Sequence, residues 1–305
     1  MENKLLVIIG HSGSGKTELG LKIAKEFGKN IISADSRQVY IGLEYCTNKL
    51  PMDEKFKRDG GFWNIEGIKY YGYDLIKESE VFSAFDFCKF ANGILENEKE
   101  NPPLIVGGTG MYVNALFHEG FLEKIPANWE LRKQLETKPT IELLELLEKN
   151  GMVINSLNNS EKNNKQRLIR KLEILQGLPR IGVAPNRGSP KMGLPLKNAL
   201  IVGLYNNNFK EKVKSWVENN FENLEIEVQK LILKYPNSPL FKGFIFSEMR
   251  DYINSKVDKE TTKEKIYFEY LHYIKRQKTY FKKYFPKTIW FDNTQSAFEY
   301  VRENL

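Results

Sequence analysis

Leu5-Leu6-Val7-Ile8-Ile9-Gly10-His11-Ser12-Gly13-Ser14-Gly15-Lys16-Thr17 is the stretch that decides the fold. Its first five residues form a short, β-branched, uninterrupted apolar run, the pattern of a strand buried on both faces of a parallel sheet. The next eight fit the phosphate-binding loop pattern G-x-x-x-x-G-K-[ST]. In that pattern the glycines let successive backbone N–H groups converge on phosphate oxygens at a helix N-terminus; the lysine reaches the terminal phosphate and the threonine hydroxyl can hold Mg²⁺. The predicted diphosphate- or nucleotide-binding set is therefore Gly10, His11, Ser12, Gly13, Ser14, Gly15, Lys16 and Thr17, with Thr17 as the metal ligand. His11 fills a variable slot and reads as a loop residue rather than a catalytic base. Leu19, Ile23, Ala24 and Phe27 then recur at helical spacing, Gly28 is a C-cap candidate, and Ile31-Ile32-Ser33-Ala34 reads as a second strand. Strand, glycine loop, helix, strand opens an α/β domain.

Outward from this start, residues 50–80 read as loops with a short hairpin around Phe62–Tyr73, and Ser83 with Asp86 forms a capping box for a helix. Leu104-Ile105-Val106 is a third strand leading into Gly107-Gly108-Thr109-Gly110 and a helix from Met111 to Phe117. From about 120 to 177 the periodicity is helical throughout, with blocks Leu131–Leu135, Ile141–Leu147 and Gln166–Leu175, and Ser160 as a candidate cap for the last. Four prolines in 178–196 mark a loop, and strand character resumes at Ala199–Leu204. Residues 205–258 read as mostly helical, Thr262–Tyr284 as a helix opened by Thr261, and Thr288–Phe291 as a last strand. The predicted architecture is α/β: a P-loop NTPase-like core with a parallel sheet, residues 1–118 and 195–305, carrying a helical insertion domain at 119–194.

Composition agrees with a globular enzyme. The chain has 305 residues, 41% of them hydrophobic and 28% charged, so wholesale disorder is excluded. Two cysteines, Cys46 and Cys88, give neither a disulfide framework nor metal-ligand spacing, which suits a reducing compartment. Leu5–Ile9 is too short for a signal peptide core or a membrane span, and cytoplasm is the expected location. Net charge is +7, unevenly placed: residues 1–150 carry 19 basic and 23 acidic side chains, whereas 151–200 carry 9 and 2. A second cluster, Lys275 to Lys287, holds six basic residues and no acid. Both stretches are candidate phosphate-backbone footprints, or simply solvated faces.

A P-loop ATPase carries an Asp at the end of a later apolar strand, where it completes the Mg²⁺ site. Here Gly-Gly-Thr-Gly follows the third strand instead, and the acid ending an early strand is Asp35. Strand ends on the P-loop side face the ligand crevice, which places Asp35 and Thr109 near the bound phosphates. Asp35 can ligate Mg²⁺ indirectly or take a proton from an attacking nucleophile; a turn residue is the alternative. In the helix from Gln166, Leu168, Leu172 and Leu175 form an apolar stripe with Arg167, Arg170 and Lys171 on the other side, and Arg170 and Glu173 are spaced to pair. Tyr267, Tyr270, Tyr273 and Tyr280 suit either base stacking or a core.

Gly10–Thr17, Asp35-Ser36-Arg37-Gln38-Val39-Tyr40, Gly107-Gly108-Thr109-Gly110-Met111-Tyr112 and Gln166-Arg167-Leu168-Ile169-Arg170-Lys171-Leu172-Glu173 together resemble four successive signatures of the tRNA dimethylallyltransferase family. Lys275-Arg276-Gln277 with Tyr280-Phe281 resembles its C-terminal basic motif. The resemblance implies transfer of a dimethylallyl group from its diphosphate to N6 of the adenosine 3′ to the anticodon, with Mg²⁺ as cofactor. Its implied partners are dimethylallyl diphosphate and the tRNA anticodon stem-loop; no membrane association is expected, and a monomer is the expected working unit. Catalytic roles fall to Asp35, Thr109 and Lys16, and tRNA contacts to Asp35, Ser36, Arg37, Gln38, Thr109, Arg132, Gln166, Arg167, Arg170, Lys275 and Arg276. Departures are Tyr70-Tyr71 where the family is His-rich, Lys171 for Ala, and lysines in place of arginines around Lys212–Trp216. The alternatives are an ATP-dependent small-molecule kinase and a catalytically weak tRNA-binding paralogue.

Overall fold

Short apolar runs become the strands of one sheet, and the glycines between them mark where the chain turns toward a ligand. The computed structural model describes residues 4–49, 56–59, 61–117, 127–177 and 199–305. β1 (Leu5–Gly10) is buried almost throughout, as its apolar run requires. α1 (Lys16–Phe27) follows, begun by Gly15 at φ 94° and ended by Gly28 at φ 60°, both left-handed positions that suit glycine. β2 (Ile31–Ser33) is followed by an antiparallel meander of β3 (Phe56–Asp59), β4 (Phe62–Ile65) and β5 (Ile68–Tyr71). The hairpin read from the sequence is β4–β5; β3 extends it. α2 (Ala84–Asn97) starts with the Ser83–Asp86 capping box, and β6 (Leu104–Gly107) leads into α3 (Gly110–Phe117).

The intervening segment contributes α4 (Trp129–Glu136), α5 (Thr140–Lys149), the one-turn α6 (Asn159–Lys162) and α7 (Lys165–Gly177). Ser160 lies inside α6 and does not cap α7; Asn164 does, its side-chain carbonyl accepting the Arg167 N–H at 3.1 Å. The proline-bearing stretch 178–196 lies outside the described residues. After it come β7 (Ala199–Leu204), α8 (Phe209–Lys234), α9 (Phe246–Ile253), α10 (Lys259–Tyr284), β8 (Ile289–Phe291) and α11 (Thr294–Asn304). α10 begins at Lys259, earlier than Thr262, because Asp258 is the cap and Thr261 donates its N–H to it. The sequence reading missed α11, although Asn293 caps it and Ala297, Phe298 and Val301 give it a buried stripe.

The sheet runs β3-β4-β5-β2-β6-β1-β7-β8, parallel from β5 to β8. β1 is central, and β2, β6 and β7 surround it, so the loops leaving their C-terminal ends converge. One core joins the sheet to α1 and α11 through Ile8, Leu19, Ile23, Val106, Phe298 and Val301. A second gathers Val39 and Leu43 with Val217, Phe221, Phe246, Met249, Ile266 and Ile274 of α8 to α10. The chain divides into two compact units, Met1–Phe117 with Leu194–Leu305, and His118–Gly193. The second has its own small core of Leu135, Leu143, Leu147, Leu168, Ile169 and Leu172.

Candidate active site

The loop after β1 wraps a cavity of about 620 Å³ lined by Ser12 to Thr17, with Asp35, Gln38, Lys49, Tyr70, Gly108, Lys212 and Gln277 among its other walls. Gly10 is where the strand must turn under a neighbour: a Cβ there would stand 2.2 Å from the Leu204 carbonyl oxygen of β7. Lys16 folds back along the loop, its Nζ donating to the His11 carbonyl at 2.7 Å. Burial pulls its pKa down to about 8, against the opposing attraction of Asp35. Thr17 and Tyr70 both line this cavity.

His11 is structural. Its ring is 1% exposed, and Nδ1 faces the Ser12 carbonyl at 2.8 Å while Nε2 faces the Asn206 N–H at 3.0 Å. A carbonyl only accepts and an amide N–H only donates, so Nδ1 carries the proton and the ring is neutral. Burial lowers its pKa to about 4, which keeps it so. Of the predicted phosphate-binding set, the His11 side chain is thus engaged in tying the loop to the residues after β7, and only its backbone faces the Lys16 ammonium.

Asp35 leaves the end of β2 and enters the same cavity. Its Oδ1 accepts the Arg37 N–H at 2.9 Å, an Asx turn that fixes the carboxylate, while a Cβ on Gly108 would lie 3.7 Å from Oδ2. Thr109 is joined to this turn, its Oγ1 accepting the Ser36 N–H at 2.9 Å. Asp35, Ser36, Thr109 and the P-loop are therefore one assembly. Arg37 is anchored on the far side, donating to the Phe244 carbonyl at 3.0 Å with its guanidinium 4.3 Å from the Phe244 ring. Gln38 is 9% exposed; it accepts from the Ser33 hydroxyl at 2.7 Å and donates to the Asn48 carbonyl at 3.0 Å, so its amide holds the loop that walls the cavity. Next to Asn48, the fully buried Lys49 ammonium donates to Tyr40 O at 2.6 Å and pairs with Asp74.

One face of α10 closes the assembly. The Tyr270 hydroxyl meets Ser12 Oγ at 2.7 Å, the Tyr273 ring lies 5.9 Å from the Arg37 guanidinium, and Gln277 bonds both Ser12 and Gly108. Sequence reasoning did not assign Gln277 or Lys49 to the site. The i, i+3, i+7 spacing of Tyr270, Tyr273 and Gln277 was visible, but that stripe does not say what it packs against.

The model of the family described as IPP transferase matches residues 38–284 of this chain. The chain belongs to that family. A tRNA dimethylallyltransferase of Lactococcus lactis subsp. cremoris is 33% identical over 289 residues, covering 92% of this chain and 90% of the relative. One from Streptococcus mutans is 31% identical over 293 residues, with 92% and 90% covered. The solved structure of full-length tRNA isopentenylpyrophosphate transferase from Bacillus halodurans superposes with a TM-score of 0.65 at 25% identity, covering 99% of this chain and 96% of that one.

Seen as an IPP transferase, the cavity fits a diphosphate with a divalent cation. The P-loop residues from Ser12 to Thr17 and Lys212 line one space, and the Thr17 hydroxyl is an oxygen ligand of the kind Mg²⁺ takes. No cluster of three or more His, Cys, Asp or Glu side chains that could hold a metal ion occurs among the described residues. The side chains of α4, α7 and α10 predicted to meet tRNA divide in two. Lys275 and Arg276 are exposed on α10, and Gln166 and Arg167 are exposed on α7, with Gln166 donating to Glu136 and Arg167 to Ser160. Arg132 and Arg170 instead converge on Glu173, whose side chain is 1% exposed. Burial would raise that carboxyl's pKa, but hydrogen bonds from Arg132, Arg170 and the Asn128 N–H outweigh it and hold it low. The spacing suggested a surface pair of Arg170 and Glu173; the structure makes it a buried carboxylate shared with Arg132. No described helix is long and apolar enough to cross a membrane.

Proposed function

We propose that this IPP transferase moves the dimethylallyl group of dimethylallyl diphosphate to N6 of the adenosine 3′-adjacent to the anticodon in tRNA. The observation that carries the reading is Asp35 opening onto the same cavity as the P-loop. An exocyclic adenine amine is a weak nucleophile, and Asp35 Oδ2, left by the Asx turn, accepts the proton it loses. The N6–C1 bond forms as the C1–O bond to diphosphate breaks, and the loop amides with Lys16 receive the charge on the departing oxygen. When bound, Mg²⁺ at Thr17 supplies further positive charge to that leaving group. Thr109 acts on the amine side by holding Ser36 beside Asp35.

The adenosine must leave the anticodon stack to reach this depth, and Ser36, Arg37 and Gln38 frame its place of entry. Lys275 and Arg276 offer exposed cations to the RNA backbone, and so does Arg167 on the other compact unit. Arg132 and Arg170 contribute through the guanidinium edges left exposed around Glu173.

Incubation with dimethylallyl diphosphate, Mg²⁺ and unmodified tRNA, followed by digestion to nucleosides, tests this reading. Prenylated adenosine at that single position is the expected product. Hydrolysis of ATP without prenylated adenosine would place the protein among kinases; tRNA binding without turnover would leave it a binding protein.

A further inference from the structure

We infer that Gln277 is a positioning residue for prenyl transfer: it fixes the distance between the loop that holds the leaving diphosphate and the turn that holds the base. The inference rests on the function proposed above. Gln277 is 6% exposed on α10, and its amide reaches in two directions. Oε1 accepts the Ser12 N–H at 3.0 Å, and Nε2 donates to the Gly108 carbonyl at 2.9 Å. Those partners settle the orientation of the amide, since a backbone N–H only donates and a backbone carbonyl only accepts. Gly108 is fitted to this contact: a Cβ there would stand 2.6 Å from Nε2 and 3.5 Å from the Gly10 carbonyl oxygen.

Each end of the bridge belongs to a different part of the reaction. Ser12 precedes the loop residues Gly13 to Thr17 that line the cavity, and Gly108 precedes Thr109, which holds the Asp35–Ser36 turn. The same face of α10 repeats the first connection, with the Tyr270 hydroxyl on Ser12 Oγ. Displacement at C1 needs leaving oxygen, carbon and amine in line, and a shift of about 1 Å in such an arrangement costs on the order of 10²-fold in rate. Diphosphate affinity is different in kind. Under the proposed function it comes from the loop residues from Gly13 to Thr17, Lys16 among them, whereas the Gln277 hydrogen bonds run to Ser12 and Gly108. Loss of the bridge therefore reduces the rate of the bound complex and leaves the strength of binding largely in place.

The test is Gln277→Met, which keeps the length and removes both hydrogen bonds, beside Gln277→Glu, which keeps an acceptor for Ser12 but, when ionised, no donor for Gly108. Single-turnover rates with saturating tRNA and dimethylallyl diphosphate are read with equilibrium affinities for each substrate and a melting curve. The expected result is a rate about 10- to 100-fold lower in both variants, with both affinities within about 3-fold of wild type. Folded variants with wild-type rates overturn the inference. So does a fall in diphosphate affinity by the same factor as kcat/KM, which would make Gln277 a binding residue. If the Met variant does not fold, the Glu variant decides by the same criteria. A wild-type protein that prenylates no tRNA would refute the proposed function itself, an outcome distinct from these.

Discussion

Removing the Glu173 carboxylate should destabilise the His118–Gly193 unit far more than an exposed ion pair would. Glu173 accepts from Arg132 Nε at 2.9 Å and Arg132 Nη2 at 2.6 Å, and also from Arg170 and from the Asn128 N–H that starts α4. Glu173→Ala removes the carboxylate on which two guanidiniums converge and the acceptor at a helix start. Breaking one side of a buried pair costs about 3–5 kcal/mol. The Arg132 and Arg170 side chains are 25% and 30% exposed, so water recovers part of this, and about 2–3 kcal/mol is the expected loss. At roughly 4–8 °C per kcal/mol for a unit of this size, its melting transition should fall by about 8–24 °C. Calorimetry of the full chain, with hydrogen exchange of the α4, α5 and α7 amides, measures this directly. A change below about 0.5 kcal/mol, the range of ordinary surface substitutions, would refute the account of Glu173 as a buried organiser. The pH dependence has a definite sign: the folded carboxyl lies below its ordinary 4.5, so its contribution is complete above that value and is lost as pH falls through the lower folded value.

Other outcomes follow from the same geometry. Asp35→Ala should lower prenyl transfer by about 10²–10⁴-fold while leaving tRNA affinity nearly intact, since Asp35 is assigned to the proton; parallel loss of both in filter binding and turnover assays would remove it from the role of base. With Lys16 near 8, diphosphate affinity should weaken as pH rises through that value, and binding near pH 8 should take up a proton. Calorimetric titration in buffers of different ionisation enthalpy detects that proton, and its absence would mean that Lys16 is already charged in the free protein. The double variant Lys275→Ala, Arg276→Ala should weaken tRNA binding and reduce the slope of log K against log salt by about 1.4–1.8; an unchanged slope would exclude both from phosphate contact.

Much of the fold was legible because its signals are local. Leu5–Ile9 cannot be satisfied except between two covered faces, Gly15 and Gly28 take left-handed conformations that other residues resist, and Ser83 with Asp86 caps α2 within four residues. The Ser160 and Thr261 assignments failed for a local reason too: Asn164 and Asp258 lay nearby as competing caps of equal or better chemistry, and only the helix geometry selects between them. The functional residues divide along the same line. Lys16, Thr17 and Asp35 announce themselves through motif and strand-end position, whereas Gln277 acquires a role only because α10 returns, 265 residues later, to the loop after β1.

An α/β chain with a phosphate loop, an acid at the end of the second strand and two clusters of basic residues can be read from residues within a few positions of one another. Tertiary structure decided which groups are committed. It made His11 a neutral strut, turned Arg132 and Arg170 toward a buried carboxylate, and placed Gln277 between the P-loop and Gly108. Burial and hydrogen-bond partners set whether a polar side chain is free to act, and both are properties of distant chain segments brought together.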